Sequence, residues 1–221
     1  MPIFAELEVC KDAAPRSAAI NMAIDEALLE TATIPSIRFY RWNSPALSFG
    51  YFGKFADVAD YAPERDLVRR WTGGGMVFHG DDLTYSIIIP AASEFSSASS
   101  KSTYAVIHAA LCDAVIAGGE RAELARDQSP KLSEVCFANP VRADIMLNGR
   151  KVAGAAQRRT RAGLLHQGSI QRVDLGNGLA ERFARELSNV RSEESLDKSL
   201  LERAEKIAEQ KYATQNWLQR R

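Results

Sequence analysis

Apolar residues recur at helical spacing near the start of the chain. In residues 17–31, Ile24 and Leu28 belong to a series of apolar positions three or four residues apart, which predicts an amphipathic helix. Asp25 and Glu26 interrupt this series. They are expected on the solvated face of the helix.

Beyond this helix the pattern changes to short β-branched and aromatic segments, which predict strands. They cover residues 36–42, 46–53, 66–71, 76–79 and 83–90. Their aromatic side chains are expected mainly in the core, with a minority lining an apolar tunnel of the kind that a fatty chain needs. The aromatic residues are Phe39, Tyr40, Phe49, Tyr51 and Phe52.

The second half of the chain returns to a helix and then to a hairpin. Residues 103–117 predict a helix, preceded by an exposed serine-rich loop over 91–102. The pair Asn148–Gly149 is typical of a type I′ turn and predicts a hairpin, with a third strand over 164–173. Two more helices are predicted near the end, over 178–187 and 197–211.

Composition narrows the class of protein. The net charge is +0 and 46% of residues are hydrophobic, which is typical of a globular protein and argues against nucleic-acid binding. No apolar run is long enough for a membrane span and no signal peptide opens the chain, so a cytoplasmic protein is expected. Three cysteines lie far apart, which disfavours a metal site. Arg158, Arg159 and Arg161 are expected either in a solvated turn or in a docking patch for an acidic carrier domain.

The most distinctive stretch is "RRWTGGGMVFHGDDLTYS", residues 69–86, in which three glycines follow a β-type segment. Gly73–Gly75 permit positive φ and carry no Cβ, so that backbone N–H groups there can approach an anion or a carbonyl oxygen. Because Arg69 and Arg70 alternate along a strand, one should face the loop while the other faces away. No Gly-Lys-Ser/Thr follows, which excludes a Walker loop. An ordinary glycine turn beside a solvated arginine pair is the competing interpretation.

This stretch, "NGRKVAGAAQRRT" (148–160) and "LLHQGSI" (164–170) together resemble the biotin/lipoate protein ligase superfamily. The similarity is greatest with the branch of lipoate ligases and octanoyltransferases, and within it with the cysteine-dependent octanoyltransferases. It extends from "NMAIDEALLE" to "YATQNW". The resemblance implies an α/β fold with a mixed, mostly antiparallel sheet packed by helices. It also implies a single catalytic domain over residues 1–221, without the C-terminal accessory domain of the larger ligases.

The resemblance further implies a binding site for an acyl group or an acyl-adenylate around the glycine loop. Its residues would be Arg70, Gly73, Gly74, Gly75, Met76, Val77, Phe78, His79, Gly154 and His166. His79 and His166 have a competing interpretation as hydrogen-bonded strand histidines. His108 and Cys112 lie four residues apart on one helix face, a spacing that suits a metal, but without a further ligand we expect core packing there and no metal site.

Cys136, in "EVCFANP", is the candidate nucleophile. Asn139 and Pro140 favour a loop, and the spacing from Cys136 to Lys151 resembles that of octanoyltransferases whose nucleophilic cysteine stands on such a loop. An ammonium near a thiol favours the thiolate, and its charge can later stabilise an oxyanion. In the ligase branch the matching lysine contacts the acyl-adenylate instead. The competing interpretations are a buried, inert cysteine and a solvated strand lysine.

The function implied by the resemblance is transfer of an octanoyl or lipoyl group to a specific lysine of a lipoyl domain, through a Cys136 thioester. Expected partners are the lipoyl domains of 2-oxoacid dehydrogenases and the glycine cleavage H protein, with acyl carrier protein as donor and no cofactor required. The run "DDLTYS" (81–86) favours transfer, whereas the triple glycine is more typical of ligases. The alternative is a lipoate-protein ligase that uses ATP and Mg²⁺ to form lipoyl-AMP in the same pocket. A non-catalytic cofactor-binding or regulatory module is a third candidate, against which the joint presence of Cys136 and Lys151 argues.

Overall fold

The computed structural model describes residues 2–126, 140–175 and 178–220. Its strands are β1 (Leu7–Lys11), β2 (Ser36–Tyr40), β3 (Ala46–Phe49), β4 (Asp66–Arg69), β5 (Val77–His79), β6 (Leu83–Pro90), β7 (Ala122–Leu124), β8 (Ile145–Leu147), β9 (Arg150–Arg159), β10 (Gly163–Ile170) and β11 (Arg191–Glu194). Its α-helices are α1 (Ala18–Thr31), α2 (Ser100–Ile116), α3 (Leu179–Leu187), α4 (Lys198–Ile207) and α5 (Gln215–Leu218). Short 3₁₀ turns span Phe55–Asp57, Ala59–Tyr61 and Glu94–Ser97, and a π turn spans Ala208–Tyr212.

Within these ranges the strands form two sheets. The larger has the order β11-β1-β2-β6-β10-β9-β8-β7, and the smaller the order β4-β3-β5. In the larger sheet β1 pairs in parallel with β11 and β2, whereas every pairing from β2 to β7 is antiparallel. The prediction of a mixed, mostly antiparallel sheet is confirmed.

Helices cover both faces of the central strands, which explains why β6 is almost wholly apolar. Ile87 and Ile89 of β6 lie in the apolar cluster that contains residues of α2 and α3. Between them in sequence, Ile88 points to the opposite face and packs with Leu29 of α1 and Leu165 of β10. Because successive side chains of β6 point to opposite faces of the sheet, this strand packs against helices on both sides.

Side-chain caps fix where the two long helices begin. Helix α1 follows Ser17, whose hydroxyl accepts a hydrogen bond from the Ile20 N–H. Helix α2 begins at Ser100, three residues before the predicted start, because Ser99 caps it by accepting from the Ser102 N–H. The serine-rich segment thus supplies the helix cap as well as a loop.

The expectations for Asp25, Glu26 and Phe52 were wrong. Asp25 is fully buried and bonded to the Arg38 guanidinium, because it lies on the face of α1 that packs on the sheet. Glu26 is half-buried and accepts hydrogen bonds from Lys211 and the Tyr212 hydroxyl. Phe52 is 84% exposed, since it belongs to the turn after β3 rather than to the strand.

The expectation of core packing at His108 and Cys112 is confirmed, since both side chains are buried on α2. His108 donates from Nδ1 to the Ala143 carbonyl oxygen at 2.8 Å, and its ring lies 4.0 Å from that of Tyr104. Burial lowers the pKa of His108 to about 4. In the part of the chain that is described, no helix has the length and apolar character needed to cross a bilayer.

The buried His108 makes folding sensitive to acid. In the unfolded chain its pKa is about 6.5, so between pH 6.5 and 4 the unfolded state binds more protons and the free energy of unfolding falls as the pH falls. The fall of the His108 pKa from 6.5 to about 4 on folding corresponds to a loss of about 3 kcal/mol in the free energy of unfolding across this pH range. We expect His108→Gln to be less stable at pH 7 and to show a shallower loss between pH 6.5 and 4 in denaturant unfolding. A slope equal to that of the wild type would contradict this assignment.

Candidate active site

The glycine loop, strands β2, β9 and β10, and helix α1 surround a cavity. Backbone or small side chains form part of its wall, and polar and aromatic side chains form the rest. The lining residues are Met22, Tyr40, Trp42, Ser48, Arg70, Gly74, Val77, His79, Thr84, Gly154, Ala155, Ala156, Gln167, Gly168 and Ser169. Five of the predicted acyl-binding residues, Arg70, Gly74, Val77, His79 and Gly154, are therefore brought together here.

Arg70 holds the glycine loop in shape. Its Nη2 donates to the carbonyl oxygens of Gly73 at 3.0 Å and Gly75 at 2.8 Å, and its Nη1 donates to Ser48 Oγ at 2.7 Å. Arg69 points the other way and donates to backbone carbonyls of the C-terminal segment, including that of Trp217. The predicted alternation of the two arginines is confirmed. Arg70 is buried, which rules out a solvated arginine pair.

Two glycines are needed where the loop packs against the end of β3. Gly74 has φ 89°, a conformation that side chains with a Cβ rarely adopt. A Cβ added to Gly50 would lie 2.0 Å from the Gly74 carbonyl oxygen and 2.7 Å from the Gly73 carbonyl carbon. A side chain at position 50 would therefore overlap the backbone of the glycine loop.

His79 is a fully hydrogen-bonded wall residue of the cavity. Its Nδ1 lies 2.7 Å from Asp82 Oδ2, its Nε2 lies 2.6 Å from Ser48 Oγ, and its ring stacks on Trp42 at 4.1 Å. Burial lowers the pKa of His79, although Asp82 opposes the shift. Burial would raise the pKa of Asp82, but hydrogen bonds from His79, Ser169 and Thr84 outweigh it and lower that pKa. The pair is therefore a neutral imidazole on a carboxylate.

Lys151 lies at the edge of the same cavity. It is 3% exposed, and its Nζ is 2.8 Å from Asp144 Oδ2. A Cβ on the cavity-lining Gly154 would lie 2.6 Å from this Nζ, so the ammonium packs directly against the cavity wall. The interpretation of Lys151 as a solvated strand lysine is wrong.

A bulge near the turn between β8 and β9 directs Lys151 to this place. Asn148 (φ 50°) and Gly149 (φ 75°) both have positive φ, as the predicted type I′ turn requires. Just beyond the turn Met146 pairs with Lys151, whereas Ile145 pairs with Ala153, so β9 contains one extra residue. Such a bulge changes the direction in which the neighbouring side chains, here that of Lys151, point.

Asp144 is held from three sides. It is fully buried, its Oδ2 accepts from the Val141 N–H at 2.7 Å, and its Oδ1 accepts from the Tyr104 hydroxyl. Tyr104 in turn accepts from the Ala155 N–H of the cavity wall at 3.1 Å. A buried carboxylate fixed in this way also fixes the ammonium bonded to it.

The remaining predicted residues lie outside the described cavity wall. Met76 packs in the small apolar cluster with Leu47 and Phe49, and Phe78 packs on the same cluster. His166 is buried with Tyr85 and His108, where burial lowers its pKa well below its usual range. In this environment His166 matches the competing interpretation of a hydrogen-bonded strand histidine.

Cys136 lies outside the described residues. The other two cysteines, Cys10 and Cys112, are buried thiols. Burial raises the pKa of Cys10 to about 11 and also raises that of Cys112. Neither provides a thiolate near neutral pH, so neither is a good nucleophile.

Sequence reasoning missed several residues of the cavity wall and of its support. They are Met22, Trp42, Ser48, Asp82, Thr84, Tyr104, Asp144, Ala155, Ala156, Gln167, Gly168 and Ser169. One signal was available: Thr84 and Ser86 alternate in an otherwise apolar strand, as do Gln167 and Ser169 in β10. Polar residues at every second position of strands that are buried on both faces indicate a polar cavity wall.

Comparison with known proteins adds independent evidence. The model of the lipoyl protein ligase A/B catalytic domain matches residues 17–209. The octanoyltransferase LipM of Oceanobacillus iheyensis is 41% identical over 165 residues, covering 71% of this chain and 60% of the relative. That of Macrococcus caseolyticus is 36% identical over 207 residues, covering 86% of this chain and 74% of the relative.

The chain spans about three fifths of the length of the first curated relatives that it matches. Among solved structures, a lipoate-protein ligase A bound with ATP superposes with a TM-score of 0.76 over 99% of both chains. At 20% identity this likeness establishes the fold alone.

The close contact of Gly50 with the glycine loop gives a test of the loop geometry. Gly50→Ala should lower the free energy of unfolding by about 1–3 kcal/mol, because the new methyl group overlaps the loop backbone. Gly73→Ala is the matched control: its Cβ would meet nothing within 4 Å, and we expect a change below about 1 kcal/mol. Urea unfolding of both variants measures the difference. Equal stabilities would show that the loop is not held by this contact.

Proposed function

The chain belongs to the lipoyl protein ligase A/B catalytic domain family, and on this premise we propose that it transfers an octanoyl or lipoyl group to a specific lysine of a lipoyl domain. Cys136 carries the acyl group as a thioester, and Lys151 assists. The observation that carries the proposal is the buried Lys151 ammonium, fixed by Asp144 and packed against the wall of the cavity. This is where a catalytic cation needs to lie if the acyl carbonyl is held at the cavity edge.

The first chemical step forms the acyl-enzyme. The Cys136 thiolate attacks the carbonyl carbon of an octanoyl thioester, the carbonyl electrons move to oxygen, and the carrier thiolate leaves when the tetrahedral intermediate collapses. The Lys151 ammonium favours the thiolate before the attack and stabilises the oxyanion that forms during it. The departing carrier thiolate takes up a proton from solvent.

The second step forms the amide. The neutral amine of the acceptor lysine attacks the Cys136 thioester, the C–S bond breaks, and the thiolate is restored while the nitrogen loses a proton to solvent. A thioester is already an activated acyl group, so neither ATP nor a metal ion is required. Acceptors of this chemistry are the lipoyl domains of 2-oxoacid dehydrogenases and the glycine cleavage H protein, and acyl carrier protein is a suitable donor.

The cavity suits the acyl end of such a substrate. Met22, Trp42 and Val77 offer apolar wall, while the glycine loop brings backbone groups to the same space. Arg70 draws the carbonyls of Gly73 and Gly75 towards itself. In a trans peptide the N–H points opposite to the C=O, so the N–H group of Gly74, which lines the cavity, faces away from the guanidinium and can donate to a substrate oxygen.

Transfer is preferred over ligation for two reasons. The sequences that are 36–41% identical to this chain are named octanoyltransferases, whereas the ligase structures resemble it at 21% identity or less. Both described cysteines are buried in the core, which leaves Cys136 as the one candidate thiol among the three in the sequence. An ATP-dependent lipoate-protein ligase would use the same cavity without needing Cys136.

A transfer assay separates these functions. With octanoyl acyl carrier protein and an apo lipoyl domain, and without ATP, intact-mass measurement should find an octanoyl group first on the chain and then on the acceptor. Cys136→Ala should lose both, lowering transfer by at least about a thousandfold. Cys10→Ala is the matched control and should keep both, because Cys10 lies in the core. Near-full transfer by Cys136→Ala, or activity only with lipoate and ATP, would contradict the proposal.

A further inference from the structure

A continuous chain of hydrogen bonds runs along the cavity wall from Arg70 to Asp82, which lies behind the wall. Arg70 Nη1 is 2.7 Å from Ser48 Oγ, Ser48 Oγ is 2.6 Å from His79 Nε2, and His79 Nδ1 is 2.7 Å from Asp82 Oδ2. Ser48 is 0% exposed, Asp82 2%, and Arg70 and His79 6% each. Four buried polar side chains in one line constitute a built network rather than a chance surface contact.

Hydrogen-bond chemistry fixes the direction of every proton in this chain. The Asp82 carboxylate can only accept, so His79 donates from Nδ1, and the neutral ring leaves Nε2 as an acceptor. Ser48 therefore donates its hydroxyl proton to Nε2. Its oxygen lone pair then faces Arg70, which can only donate.

Asp82 is the fixed end of this series of hydrogen bonds. Besides His79, Oδ2 accepts from the hydroxyls of Thr84 and Ser169, each at 2.8 Å. Trp42 donates from Nε1 to Thr84 Oγ1 at 2.8 Å and stacks on the His79 ring, so the imidazole is held both in its plane and from above. These hydrogen bonds and the stacking on Trp42 hold His79 and Asp82 in fixed orientations.

We propose that Ser48, His79 and Asp82 are positioning residues that hold Arg70, and through it the glycine loop, in the shape that binds the acyl group. The assignment rests on the proposed function of the cavity. Asp82 selects the His79 tautomer, the tautomer orients the Ser48 hydroxyl, and the hydroxyl oxygen anchors one arm of the guanidinium. The other arm then holds the Gly73 and Gly75 carbonyls, which sets the direction of the loop N–H groups.

This role differs from nucleophilic catalysis by Ser48, although serine, histidine and aspartate in such a line resemble a hydrolase triad. A nucleophilic serine needs free lone pairs towards its substrate. Here the Ser48 oxygen already accepts from Arg70, and its proton is committed to His79. The geometry therefore favours a structural relay, meaning the hydrogen bonds that run from Asp82 through His79 and Ser48 to Arg70, over nucleophilic catalysis by Ser48.

Binding measurements on single and double variants test the relay without requiring turnover. The probe is an octanoyl-pantetheine analogue with nitrogen in place of the thioester sulfur, titrated by calorimetry. Ser48→Ala and Asp82→Asn should each weaken binding roughly tenfold, as expected for breaking a buried hydrogen-bond chain. The double variant should also be weakened roughly tenfold, because one break already removes the Ser48 hydrogen bond that orients the Nη1 arm of Arg70. Asp81→Asn, an exposed neighbour with the same charge change, should bind like the wild type.

Two outcomes would overturn the relay: wild-type affinity in either single variant, or a roughly hundredfold loss in the double variant, which would mean independent effects. Failure of the wild type to bind the probe would instead count against the proposed function of the cavity.

Side-chain ¹⁵N NMR tests the relay even if the wild type does not bind the probe. Wild-type His79 should be a neutral Nδ1–H tautomer at neutral pH, and the Arg70 Nη groups should rotate slowly. In Ser48→Ala and Asp82→Asn, but not in Asp81→Asn, Arg70 rotation should accelerate. An Nε2–H tautomer in the wild type, or unchanged Arg70 rotation in both relay variants, would overturn the assignment.

Discussion

The arrangement of this protein depends on one buried carboxylate, Asp25 of helix α1. Its Oδ1 accepts from Arg38 of β2 at 2.8 Å and from Ser86 of β6 at 2.7 Å, and its Oδ2 accepts from Gln167 of β10 at 2.7 Å. One side chain thus ties the helix to three neighbouring strands of the large sheet. Loss of Arg38 would remove the cation that is bonded to the buried Asp25 carboxylate, whereas loss of Asp25 would leave Arg38 paired with Asp12. Gln167 and Tyr40, which line the cavity, take their orientation from the same carboxylate.

Two further buried carboxylates extend this principle to the candidate active site. Asp82 orders the glycine loop through His79, Ser48 and Arg70, and Asp144 orders the ammonium of Lys151. Apart from Arg70, the residues that line the described cavity are uncharged, whereas Asp25, Asp82 and Asp144 lie behind this lining. Such a design keeps the acyl pocket free of carboxylates and still gives its polar groups fixed directions.

The sequence predicted helices α1 to α4 and strands β2 to β6 and β8 to β10, because these elements have strong local signals, whereas it did not predict β1, β7, β11 and α5. The Asn148–Gly149 turn and the alternation of Arg69 and Arg70 were correct for the same reason, since both follow from backbone geometry alone. The glycine loop and Lys151 were found through family motifs. Their partners were not, because Ser48, Asp82 and Asp144 come from three different segments that meet only in the folded sheet.

The errors have a common physical origin. Asp25 has the residue type of a surface position, and nothing in its neighbours along the chain signals Arg38, Ser86 and Gln167 across the sheet. Phe52 has the residue type of a core position, yet it lies in the turn that delivers Gly50 to the loop. Contacts across the sheet decide the case of Asp25, and the end of strand β3 decides that of Phe52; residue type alone indicates neither.

The most direct test of the proposed chemistry is the pH dependence of Cys136 alkylation by iodoacetamide, followed by peptide mapping. Removing the Lys151 charge in Lys151→Met should move the profile upward by about one pH unit or more, and Lys151→Arg should restore part of the shift. Since Lys151→Met leaves the Asp144 carboxylate without its cation, the double variant with Asp144→Asn controls for stability. Lys198→Met, at an exposed site, should leave the profile unchanged. An unchanged profile in Lys151→Met would contradict activation of Cys136 by Lys151.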